Sequence, residues 1–171
     1  LFFLFLMVVF FPLVTIYIMY RNKTISSMSI PIRKERLPVL VLISIYYFMT
    51  YYIFRYWNTT LLNLFHPYLS FLFAGLVLIF TLTAITYFWK ISLHSSSISA
   101  LCGGMMAETI VALPVSSQEQ VFSVNMALLV LVGIVCFSRL YLKAHTVSQT
   151  ITGIALGFSL AFSLVFFQIY I

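Results

Sequence analysis

Residues 121–149 read VFSVNMALLVLVGIVCFSRLYLKAHTVSQ, and this stretch decides how the chain is built. Its first part, 121–139, holds no charge before Arg139. At about 1.5 Å of rise per residue such a run spans most of a ~30 Å hydrocarbon layer. In lipid the backbone must satisfy its own hydrogen bonds, so the run is a helix. Then come Lys143 and His145, and a fresh apolar run opens at 148. Thr146 and Gln149 have the spacing of a capping box, in which Thr caps and Gln reaches back from the third helical position. Helix end near 140, tight turn, new helix: that is the prediction.

The same pattern recurs outward from this point. Apolar runs at 1–20, 38–56, 67–89, 95–113, 121–139 and 148–171 make six segments. The chain is 63% hydrophobic and 7% charged, against about 25% charged in an ordinary soluble domain. The alternation of a membrane β-barrel is absent. The expected fold is therefore all-α, a polytopic transmembrane bundle of about six spans, with 1–171 as a single membrane-embedded domain. Leu1 lies directly in an apolar run, with no basic n-region before it and no small-residue cleavage site after it. The sequence thus reads as starting mid-protein, with a preceding helix missing. The relative parity of the loops does not depend on this.

That parity sorts the charges. Odd loops receive Arg21, Lys23, Arg33, Lys34, Arg36, Lys90, Arg139 and Lys143, with His94 and His145, while even loops receive only Arg55 and His66. Three loops far apart in sequence should converge on one cationic, histidine-bearing surface. Aromatic belts support the span ends: Tyr17 and Tyr20, then Tyr51, Tyr52, Tyr56 and Trp57, then Tyr87, Phe88 and Trp89. Pro38 suits a first helical turn. Ser95, Ser96 and Ser97 are N-cap candidates, and Gly103, Gly104 and the pair Gly153 and Gly157 allow close helix packing. Pro114 to Gln120 reads as an even-face turn, with Glu119 in water. Glu108 is the one acid inside a span and has no partner in sequence. Cys102 and Cys136 have neither a CxxC neighbour nor a His at ligand spacing, so they read as buried thiols. No metal and no cofactor is expected.

Ser138, Arg139 and His145 stand at the spacing of the third signature of the type 2 phosphatidic acid phosphatase family: Ser-Arg, five residues, His, three residues, Asp. Gln149 stands where that family has Asp. Ile91-Ser92-Leu93-His94 resembles the second signature, Pro-Ser-Gly-His. For the first, Arg36-Leu37-Pro38 or Arg33 stands in for the Arg of Arg-Pro, with no Lys at the family's distance. The chain is similar to a divergent bacterial branch of the family from about residue 20 onward.

The resemblance implies a metal-free, two-step phosphoryl transfer through a phosphohistidine. His145 would attack phosphorus and His94 would protonate the leaving group. Arg139 and one of Arg33 or Arg36 would hold the phosphoryl oxygens, with Lys143 as a further candidate and Ser92 adding a hydrogen bond. Gln149 would orient the His145 ring without supplying charge, predicting slower but not abolished turnover. The chemistry suits these residue types, because the transition state spreads negative charge over equatorial oxygens and a guanidinium is a planar, permanently charged fork. Partners would be membrane lipids bearing phosphate or pyrophosphate, with no nucleic acid, in a bacterial inner (cytoplasmic) membrane.

Plainer readings stand beside this one. Lys90 and Lys143 are as well explained by snorkelling to headgroups, and Arg33, Lys34 and Arg36 by a topology signal on anionic lipid. Two rivals follow for the whole protein. One is a weak or inactive relative that binds or transports anionic lipid. The other is a two-histidine haem protein, which requires ligands at matched depth and few cations. The positive-inside rule puts the odd face in the cytoplasm, whereas catalytic cations would sit there irrespective of topology.

Overall fold

The computed structural model describes residues 2–28, 30, 32–56, 59–111 and 115–169, without the side chains of 59–67 and 115–120. Six helices account for nearly all of them: α1 Phe2–Arg21, α2 Arg33–Tyr56, α3 Thr59–Phe88, α4 Leu93–Val111, α5 Val115–Tyr141 and α6 Val147–Phe166. No strand occurs among the described residues. The all-α expectation holds. Five of the six helices are long and apolar enough to cross a membrane, and this is an integral membrane protein. The exception is α4, whose serines, glycines and Glu108 dilute its apolar content.

The bundle has an apolar exterior, and its interior joins an apolar cluster around Leu78, Leu82, Ile91 and Val165 to a band of buried hydroxyls. Phe48, Phe80, Val130 and Phe137 are exposed, whereas Ser92, Ser95, Ser96 and Ser99 are buried to within 1%. Hydrocarbon offers hydroxyls no partner, so they turn inward or bond their own helix. Ser44, Thr50, Thr81, Thr83, Thr109 and Ser159 each donate to the carbonyl four residues back at 2.7 Å.

Helix α4 packs most extensively against α6, and glycine makes that approach possible. A Cβ at Gly153 would meet the Ser96 hydroxyl at 2.9 Å and the Ser92 carbonyl at 3.0 Å. One at Gly157 would overlap the Ser96 carbonyl oxygen, and one at Gly103 would lie 2.5 Å from the Phe158 carbonyl oxygen. The Gly153 and Gly157 pair is thus a packing surface within the bundle, as expected. Around this seam α3 touches α6, α5 touches α4, and α1 packs on α2.

Several boundaries differ from expectation. Helix α2 starts at Arg33 and runs through Pro38, so its charged first turn stands at the headgroup level. Pro38 is therefore the sixth residue of the helix and not in its first turn. It lies past the four N–H groups that have no internal partner, so the Lys34 carbonyl loses its helical donor. Helix α4 opens at Leu93, two residues before the serine run, and Ser92 is its cap: the Ser92 hydroxyl accepts from the Ser95 N–H at 3.4 Å. The expected placements of His66, Trp57, Pro114 and Glu119 on the opposite face lie outside the described side chains.

Candidate active site

Three loops meet at one end of the bundle through bonds between distant residues. Arg33 Nη1 donates to the Phe88 carbonyl at 2.7 Å, joining α2 to the end of α3. Lys90 Nζ donates to the Ala144 carbonyl at 2.9 Å, and the Ser92 N–H to the Gln149 carbonyl at 3.3 Å. The convergence expected from loop parity is therefore physical.

The turn between α5 and α6 is built by its own backbone. The Lys143 N–H bonds the Leu140 carbonyl at 2.9 Å and the Ala144 N–H bonds the Arg139 carbonyl at 3.0 Å, with Lys143 at φ 52°. This is a Schellman closure, with lysine where glycine is usual. It stops α5 just after Arg139 and throws the chain back. Two residues later Thr146 caps α6 in a full capping box, as the spacing predicted. The box also determines a ring tautomer. The Thr146 N–H donates to Gln149 Oε1 at 3.2 Å, and an N–H needs an acceptor, so that atom is the amide oxygen. The same oxygen lies 3.2 Å from His145 Nδ1. Nδ1 must then carry the proton, which leaves the lone pair on Nε2.

His145 is 9% exposed. Burial, aided by the charges of Arg36, Lys90 and His94, pushes its pKa down from 6.5 to about 4 against the opposing Gln149 bond. His94, more open to solvent in the first turn of α4, is also lowered, by partial desolvation and then by Arg139 and Arg36. The Lys90 ammonium is lowered by burial and by Arg36. Every charge acting on the two rings has one sign. Glu35, the acid nearest in sequence to Arg36, is occupied by the Ser26 N–H and hydroxyl, each at 2.9 Å.

The candidate residues now separate. Arg36 is buried, anchored by Nε on the Ile30 carbonyl at 2.8 Å, and its charge reaches Lys90, His94 and His145. Arg139 acts on His94, and its buried Nε has no partner. Arg33 gives one nitrogen to the Phe88 carbonyl at an exposed position on the outside of the bundle, and Lys143 is exposed on the turn. Ser92 is fully buried with its hydroxyl 2.8 Å from that of Ser95, so it shapes the start of α4 and does not present a free donor to a ligand. Lys90 is the residue that sequence reasoning undervalued: it pins the loop bearing His145. Its position directly after the α3 aromatic belt was the only signal. No group of three or more His, Cys, Asp or Glu able to hold a metal occurs among the described residues.

Comparison of the chain with protein-family models, with curated proteins and with solved structures finds no match.

Proposed function

We propose that the chain is an integral membrane phosphatase acting on lipid phosphate or pyrophosphate through a phosphohistidine. The observation that carries this reading is His145: buried, neutral, proton on Nδ1, with cations around it. A bare cluster of like charges is costly, and a phosphoryl group is the ligand that relieves it while giving Nε2 something to attack.

In the first step Nε2 of His145 forms a bond to phosphorus as the bond to the leaving oxygen breaks, and His94 gives its proton to that oxygen. In the second, His94 takes a proton from water, water oxygen bonds phosphorus, and the N–P bond breaks. Arg36 and Arg139 hold the equatorial oxygens throughout. Burial and, after it, the charges of Arg139 and Arg36 lower the His94 pKa, and a bound dianion opposes the arginine contribution, so substrate favours the protonated acid. Gln149 aligns the nucleophile but adds no charge to steady the imidazolium-like intermediate.

The resemblance to the type 2 phosphatidic acid phosphatases supports the same reading on Arg139, His94 and His145. The test is phosphate release from phosphatidic acid, phosphatidylglycerol phosphate and an isoprenoid pyrophosphate by wild type, His94→Ala and His145→Ala. Release that survives His145→Ala sinks the mechanism. Tight lipid-phosphate binding without release identifies the rival, an anionic-lipid binder.

A further inference from the structure

A groove of about 350 Å³ runs down the outside of the bundle between α2 and α3, lined by Val41, Ser44, Ile45, Phe48, Phe80 and Thr83. Its two hydroxyls are occupied. Ser44 donates to the Leu40 carbonyl and Thr83 to the Ile79 carbonyl, each at 2.7 Å, and the two oxygens lie 3.4 Å apart. The lining therefore presents no unspent donor and suits hydrocarbon.

The walls of this groove lead up to charge. Lys34, Val41 and Phe48 are seven residues apart, two helical turns, so they form one line on α2. Tyr87, Thr83 and Phe80 form the matching line on α3, at spacings of four and three. Lys34, Val41, Phe48, Phe80 and Tyr87 are all exposed. Arg33 closes the top, one nitrogen on the Phe88 carbonyl and the residue otherwise exposed. At about 1.5 Å per residue, Lys34 stands roughly 10 Å above Val41 and 21 Å above Phe48. Those are the separations of a lipid phosphate from the upper and middle parts of its chain. Arg36 lies about 200° round the helix from Lys34 and faces inward, so this is not the catalytic pocket.

We propose that the α2–α3 groove binds one anionic glycerophospholipid, its phosphate at Lys34 and Arg33 and one acyl chain along Val41, Ile45 and Phe48. Cationic side chains above an apolar channel of matching depth complement such a lipid, independently of the proposed catalysis. A basic residue at a headgroup site favours an anionic lipid about fivefold.

The protein is purified in detergent, offered equal amounts of phosphatidylglycerol and phosphatidylcholine with identical chains, and the lipid it retains is counted by native mass spectrometry. Wild type should keep phosphatidylglycerol in about fivefold preference, and Lys34→Gln should lose most of it. Ile45→Trp, which fills the channel, should lower retention of both lipids. Lys23→Gln removes an exposed cation from the same face that does not line this groove and should change nothing. Equal retention of the two lipids by wild type, an unchanged Ile45→Trp, or an equal loss in Lys23→Gln would overturn the proposal, the last showing surface attraction only.

Discussion

Gly157 and Gly133 belong to helices joined by one short turn, yet a methyl group added at each would meet opposite fates. At Gly157 it would run into the backbone of α4, while at Gly133 nothing lies within 4 Å. The first glycine sits in the α4–α6 seam, the second on the lipid-facing side of α5. The seam carries a site at its end: His94 opens α4 and His145 precedes the cap of α6, so the spacing of those helices sets the spacing of the histidines. Helix α5 brings Arg139 on its last turn. It packs one side on α4, where Asn125 donates to the Thr109 hydroxyl at 2.9 Å, while the side bearing Gly133 is open. The tightest helix packing thus ends at the candidate site.

Substitutions can break that contrast, and the largest effect belongs to Gly157→Ala. The obstacle is backbone and cannot rotate away, so the seam must open at a cost of about 3 kcal/mol, the upper end for overpacking. Thermal unfolding in detergent checks it, and a midpoint within a degree of wild type would refute the seam. Next is His145→Ala, which should cut phosphate release on the order of 10³-fold or more while leaving the unfolding midpoint nearly unchanged.

Gln149→Asp tests the other end of the same helix turn. A carboxylate would still accept from Nδ1 and would add the charge that Gln149 lacks, raising the His145 pKa and turnover about tenfold. Turnover that stays the same or falls would argue against Gln149 as the orienting group.

Acid should loosen the seam end. The unfolded chain carries His145 at an ordinary pKa near 6.5 and the folded chain at about 4, so the unfolded state binds more protons between those values. Stability in that window falls as pH falls. His145→Gln should flatten this part of the pH dependence of the unfolding midpoint, and an unaltered slope would remove His145 as its source. The smallest effect is Gly133→Ala, which meets open space and gains helix propensity, a stabilisation of about 0.5–1 kcal/mol. A loss there would mean that α5 has a neighbour.

Much of this was legible in residues 121–149 alone: the end of α5, the turn, and the Thr146 to Gln149 box all depend on local spacing. Loop parity needed only the lengths of the apolar runs. What escaped were choices made by partners distant in sequence. Arg33 and Arg36 are three residues apart on one helix, and only the Phe88 and Ile30 carbonyls distinguish the exposed one from the buried one. In sequence, Ser92 reads as a ligand from its resemblance to the second signature, and Ser95 to Ser97 read as the cap of α4; the bond from the Ser95 N–H makes Ser92 the cap. Lys90 needed the Ala144 carbonyl, 54 residues away, to become more than a headgroup lysine.

The serine content of α4 also bears on biogenesis. Taken alone, this segment partitions into hydrocarbon less readily than its five companions, and the surface that accepts it, on α6, is synthesised after it. A ribosome stalled before Val147 would leave Ser92, Ser96 and Ser99 without the glycine face that receives them. Assembly of this end of the bundle therefore waits for α6 to be inserted.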